Sequence, residues 1–162
     1  MPQFADHIKQ ANSNLLFLKS INKTSPAHVD WQVTVCFYTA LHLVNAHLAN
    51  YNQQFRNHTD VKDAINPHNP LSVLKLTPDS YTAYISLFSL SRRARYLINE
   101  KDNNLKSNQP FFTYDKHLAK AIKHLDILCT YFNNLYSLGL PKTPIQCTQL
   151  DKKNPLAFFD IA

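Results

Sequence analysis

Apolar side chains recur at intervals of three and four along most of this chain, a spacing that predicts helices rather than strands. Phe4, Ile8, Ala11, Leu15 and Leu18 set one stripe of a first helix, expected to end near Lys19 or Ser20. Residues 21–26 read as a polar connector, with Pro26 as the first residue of the next helix after a Thr24 or Ser25 cap. That second helix, roughly 27–51, carries apolar groups in almost every direction from Trp31 to Leu48, so it is expected at the centre of a bundle. After a polar stretch, Asn57 or Thr59 is placed to cap a short helix bearing Val61, Ala64 and Ile65, which Pro67 and Pro70 terminate.

Thr77, Pro78 and Asp79 supply a cap, a pre-set φ and a carboxylate at the positive end of a further helix reaching about Asn99. Its stripe is read as Tyr81, Tyr84 or Ile85, Phe88, Ala94 or Arg95, and Ile98. Glu100 to Gln109 is a polar crossing. The last long helix starts near Thr113 and Asp115 and presents Leu118, Ile122, Leu125, Leu128, Phe132 and Leu135, with Gly139 as its left-handed stop. Periodicity vanishes from Leu140 onward. The pattern predicts an all-α fold: an antiparallel up-and-down bundle of four long helices plus a short extra helix over residues 1–139, and an extended C-terminal tail over 140–162 that packs on the bundle or projects from it, with Leu156, Phe158 and Phe159 as possible anchors.

Composition narrows the chemistry. The 162 residues contain one glycine, Gly139, and no Asn-Gly pair. Phosphate loops, dinucleotide turns and tight hairpins need positive φ, so Walker, Rossmann and kinase loops are excluded and sheet-rich folds disfavoured. The start of the chain lacks the basic-then-apolar pattern of a secretory signal, and the most apolar stretch, Val33 to Val44, falls short of the ~20 residues that cross a bilayer. Cys36, Cys129 and Cys147 are odd in number and widely spaced, which suits reduced thiols, so the expected setting is the cytoplasm, with no membrane. No cysteine or histidine spacing reads as a metal site, and no cofactor is implied. His117 and His124 share a helix face about 10 Å apart along the axis, too far to chelate one ion unaided.

With 17 Lys and Arg against 11 Asp and Glu the net charge is +6, compatible with a polyanion partner. Three of the four arginines fall within Ser91-Arg92-Arg93-Ala94-Arg95-Tyr96. Arg92 and Arg95 share a helix side, where forked donors can grip phosphate oxygens; the plainer alternative is a solvated helix end complementing the dipole. On the second helix Tyr38, His42 and Asn45 form a polar line through an apolar segment. His42 there is either a core histidine with a satisfied partner or a proton donor and acceptor facing a cleft. His58, beside Arg56, is either a surface group near a cap or a residue reaching over that cleft.

Trp31, then Phe37-Tyr38-Thr39-Ala40-Leu41-His42-Leu43-Val44, then His58 before Asp60-Val61, then Leu90-Ser91-Arg92-Arg93-Ala94-Arg95-Tyr96 resembles the HEPN superfamily, and within it a bacterial group of small HEPN-like proteins. The likeness spans about residues 28–98. It implies a helical bundle, frequent homodimers with the arginine helix at a shared cleft, nucleotide or RNA binding, and in many members metal-independent endoribonuclease activity. In the ribonuclease members an arginine is followed, after four to six intervening residues, by histidine. No arginine here has that partner, and Asn99 stands at the longest allowed spacing from Arg92. An amide does not shuttle protons near neutrality. Binding is therefore expected ahead of catalysis, with Ser91, Arg92, Arg95, Tyr96, Tyr38 and Asn99 as phosphate or ligand contacts and His42 and His58 as the groups left for acid–base chemistry. The alternatives are a ribonuclease toxin or defence effector with a rearranged His and Arg set, and a protein-interaction module using the aromatic face and the Leu156–Phe159 tail.

Overall fold

The computed structural model describes residues 2–99 and 109–162, so most of the polar crossing that begins at Glu100 lies outside the described residues. The described chain is mostly helical, with α1 (Phe4–Thr24), α2 (Val29–Asn50), α3 (His58–Ile65), α4 (Pro78–Tyr96) and α5 (Asp115–Tyr136), followed by two short strands, β1 (Thr143–Ile145) and β2 (Phe159–Ile161). Among the described residues, no helix is long and apolar enough to cross a membrane.

α1 runs past its expected end because its buried face continues through a polar residue. Ala11, Leu15 and Leu18 are buried, and the next position on that face is Asn22. The Asn22 amide donates to Gln32 Oε1 at 2.7 Å and to the Gln146 carbonyl at 2.9 Å, and its oxygen accepts from Gln146 N at 2.8 Å. Pro26 does not open α2 as expected. It lies in the preceding turn, where its carbonyl accepts from Gln32 Nε2 at 3.1 Å, and His28 is the N-cap.

α2 packs on α1, α4 and α5, the central position its all-round apolar surface predicts. Val33, Cys36, Phe37, Ala40 and Val44 are sealed in the core, and of residues 32–40 only Tyr38 is exposed. α3 is capped by Asn57, which accepts from Asp60 N at 2.8 Å.

Two further helix ends differ from expectation. α4 stops at Tyr96, short of Asn99, because Leu97 turns left-handed at φ 56°. The corresponding residue after α5 is Ser137 at φ 51°, while Gly139, at φ 61°, lies in the turn beyond it. The buried stripe of α4 is also shifted: Ser80, Ala83, Tyr84, Leu87, Ser91 and Ala94 face inward. Small and hydroxyl residues let α4 approach its neighbours closely, and Tyr81, Ile85 and Phe88 are left at the margin.

The tail is extended, as expected, but its ends find each other. β1 and β2 pair in parallel, Thr143 opposite Phe159 and Ile145 opposite Ile161. Asp126 of α5 accepts from Ala157 N at 3.1 Å and Phe158 N at 2.8 Å, and Phe159 is 2% exposed. The aromatic anchor at Phe159 is therefore spent on this chain's own core, which removes it from any surface offered to a protein partner.

Candidate functional site

An α-helix turns about 100° per residue, so Arg92 and Arg95 project within about 60° of each other while Arg93 projects nearly opposite Arg95. The arginine cluster thus divides between two flanks of α4.

On the first flank Arg95 is held by α4 itself and by α2. Its Nε donates to the Ser91 carbonyl and its Nη2 to Ser91 Oγ, both at 3.3 Å, and its Nη1 donates to Tyr38 Oη at 3.4 Å. The guanidinium carbon lies 5.8 Å from the Tyr38 ring centre and 5.1 Å from that of Tyr96. These are cation–π distances. Tyr38 is 36% exposed and Tyr96 60% exposed, so both rings keep a wet face.

A second aromatic centre adjoins the first. Phe88 carries Lys62 Nζ at 5.4 Å and the Arg92 guanidinium at 5.9 Å, and its ring lies 5.5 Å from His58. His58 also meets Phe37 edge-on at 5.5 Å. Burial lowers the His58 pKa below its ordinary value, and the nearby Arg95 cation lowers it further. At neutral pH the imidazole is therefore uncharged, able to donate from one nitrogen and accept at the other. Among the described residues the ion pair is Lys142 with Asp160, far along the tail, and no carboxylate neutralises Arg95.

Tyr38, His58, Arg92, Arg95 and Tyr96 thus lie on one face. Ser91 belongs to it differently: it is fully buried, and its hydroxyl donates to the Phe88 carbonyl at 2.8 Å, so it braces Arg95 instead of touching a ligand. Asn99 is on the other flank, where it lines a cavity together with Arg93.

His42 does not join the arginines. It lies one turn beyond Tyr38 and meets α1, with its Nδ1 3.1 Å from Nδ1 of His7. At that separation one ring donates and the other accepts, which requires at least one of them neutral. Burial lowers the pKa of both rings, and for His42 the charge of His7 adds to the effect. The cleft in which His42 and the arginines were expected to converge is replaced by a satisfied histidine pair, because position 42 points between α2 and α1.

Lys62 and Phe88 were missed by the sequence reading. Lys62 is one turn after His58 and so shares its face, a signal available in the spacing. Phe88 was assigned to the core, and only the shift of the α4 stripe moves it outward. Among the described residues no group of three His, Cys, Asp or Glu is placed to hold a metal ion. No family model, curated protein or solved structure matches this chain.

Proposed function

We propose that this protein binds single-stranded RNA on the face formed by α2, α3 and the end of α4. The observation that carries the reading is Arg95 held between two exposed tyrosine rings, with Lys62, Arg92 and His58 grouped around the adjoining Phe88. Tyr38 and Tyr96 offer stacking surfaces for unpaired bases, and the guanidinium and ammonium groups meet the phosphates between them. A net charge of +6 favours the same partner.

In this reading the chain is a cytoplasmic, homodimeric member of the HEPN-like group, its four long helices arranged as an antiparallel up-and-down bundle. The bundle is supported by the cross-helix pairings: Asn22 meets Gln32 while His7 meets His42, and His47 of α2 meets Tyr136 of α5. Binding is preferred to cleavage because this face holds one imidazole, His58, and acid–base cleavage calls on two proton-transferring groups.

The test is fluorescence anisotropy with a labelled 10-nucleotide RNA at several salt concentrations. Arg92→Ala with Arg95→Ala is expected to weaken binding by tenfold or more, since a charge-assisted contact contributes roughly 1.5–3 kcal/mol. The salt dependence should flatten, at about 0.7 in slope per lost phosphate contact. Unchanged affinity in the double variant overturns the reading. RNA recovered uncut in EDTA supports binding alone, whereas cleavage lost in His58→Ala makes the protein a ribonuclease.

A further inference from the structure

On the other flank of α4 a cavity of about 530 Å³ lies against α5. α4 contributes Ser86, Ser89 and Arg93, and α5 contributes His117, Lys120 and His124. Each set has the spacing i, i+3, i+7, so two side-chain columns face each other across the space. Ile85, Leu90 and Ile98 form the apolar part of the wall, and no carboxylate is among the described lining residues.

The polar groups of this cavity are not fully used by the protein. His124 Nδ1 is buried and, among the described residues, has no hydrogen-bond partner. His117 Nδ1 accepts from Tyr114 N at 2.9 Å, which puts the proton of the neutral ring on Nε2. Arg93 donates from Nε to the Phe112 carbonyl at 2.9 Å and rests over the Phe111 ring at 5.3 Å, so its position is fixed from outside the cavity. Buried polar groups in native proteins nearly always have partners, and an unpartnered ring nitrogen on a residue of the cavity wall, beside Arg93 and Lys120, leaves one hydrogen-bonding position there to be filled.

We infer that this cavity binds a small phosphate monoester whose carbon part is apolar. A carboxylate has two oxygens and about four lone-pair positions, too few for an Arg fork, an ammonium, two imidazoles and two hydroxyls, whereas a phosphate monoester brings three terminal oxygens. Its second pKa of about 6 makes it a dianion at neutral pH, matched to Arg93 and Lys120. The volume falls in the range of roughly 300–1,000 Å³ typical of small-molecule sites, leaving room for an apolar body against Ile85, Leu90 and Ile98. A phosphodiester, with two of its oxygens substituted and a single charge, fits this donor set poorly. The cavity is therefore distinct in chemistry from the RNA face and does not depend on that reading.

The probe is phenyl phosphate, titrated into the full chain by calorimetry and followed by NMR of the histidine rings. Phenyl phosphate is expected to bind and shift the His117 and His124 signals, inorganic phosphate to bind at least about tenfold more weakly, and phenol and diphenyl phosphate to give no saturable heat. Lys120 is exposed, so Lys120→Gln should leave the fold intact and weaken phenyl phosphate by about tenfold, the loss of one charge-assisted contact; His124→Gln gives a second variant. Arg95→Ala should leave this affinity unchanged, which separates the cavity from the RNA face. Absence of binding, equal binding of phenol or inorganic phosphate, or loss in Arg95→Ala with retention in Lys120→Gln overturns the inference.

Discussion

His117→Gln should remove a large part of the acid sensitivity of this fold. His117 is the third residue of α5, 8% exposed, and its Nδ1 serves as acceptor for the Tyr114 N–H at the helix start. Burial pushes its pKa down to about 4, with the cations Arg93, Lys116 and Lys120 adding repulsion. In the unfolded chain the ring titrates near 6.5. Because the folded value is the lower one, the unfolded state binds more protons between the two. Stability is therefore complete above pH 6.5 and falls as pH drops from there toward 4. Between pH 7.5 and 4.5 this single group accounts for a loss of about 2–3 kcal/mol. Protonation at Nδ1 also takes away the acceptor for the Tyr114 N–H. A glutamine at the third helical position keeps a side-chain oxygen for that N–H and does not titrate. Urea unfolding of both proteins at pH 7.5 and 4.5 tests this: the wild type should lose about 2–3 kcal/mol more than the variant. His7, His42, His47, His58 and His124, whose pKa values are also lowered by burial, are common to both and cancel in the difference. Equal losses in the two proteins would refute the reasoning.

Two further outcomes follow from the packing. Asp126→Ala strips the acceptors from Ala157 N and Phe158 N, and should cost about 2–4 kcal/mol in chemical denaturation, with faster amide exchange at Thr143 and Phe158; a change below about 0.5 kcal/mol would mean the tail is held by its apolar contacts alone. Cys36 and Cys129 are fully buried and burial raises both thiols above their ordinary range, so neither should react with a thiol reagent in the native protein at pH 8, and rapid labelling of either would contradict the core as described.

The helices were legible because apolar periodicity and caps agree along most of the chain. Asn57 and Thr77 cap where their side chains predict. The boundaries that moved did so where a polar residue does a core job. Asn22 extends the buried face of α1 because its amide is satisfied by Gln32 and Gln146, and Gln146 is 124 positions away in sequence. Local periodicity carries no information about such a partner. The inner stripe of α4 was misread for a related reason: Ser80 and Ser91 are buried, and a reading weighted by side-chain size places Phe88 inside instead. The strand pairing of the tail was invisible because each strand has three residues and owes its position to Asp126 and the core beneath.

The same limit explains what became of the candidate site. Tyr38 and His42 are one turn apart on α2, yet the helices beside them differ: Tyr38 meets α4 through Arg95, and His42 meets α1 through His7. Spacing fixes the angle between two side chains on one helix, and it leaves open which neighbour fills that angle. Angle alone did decide the arginines. Positions 92 and 95 are about 60° apart and 93 is nearly opposite 95, so three guanidinium groups within four residues of one helix cannot converge on one ligand. With α2 on one flank and α5 on the other, the division is forced by the bundle: Arg95 stacks with exposed tyrosines on an open face, and Arg93 is fixed by Phe112 beside a half-open cavity. An open aromatic surface suits a polymer that passes across it, whereas a recess lined by Arg93, Lys120 and two imidazoles suits a small dianion. On the two proposals made above, α4 serves two separate recognition surfaces, and its arginine density reflects both.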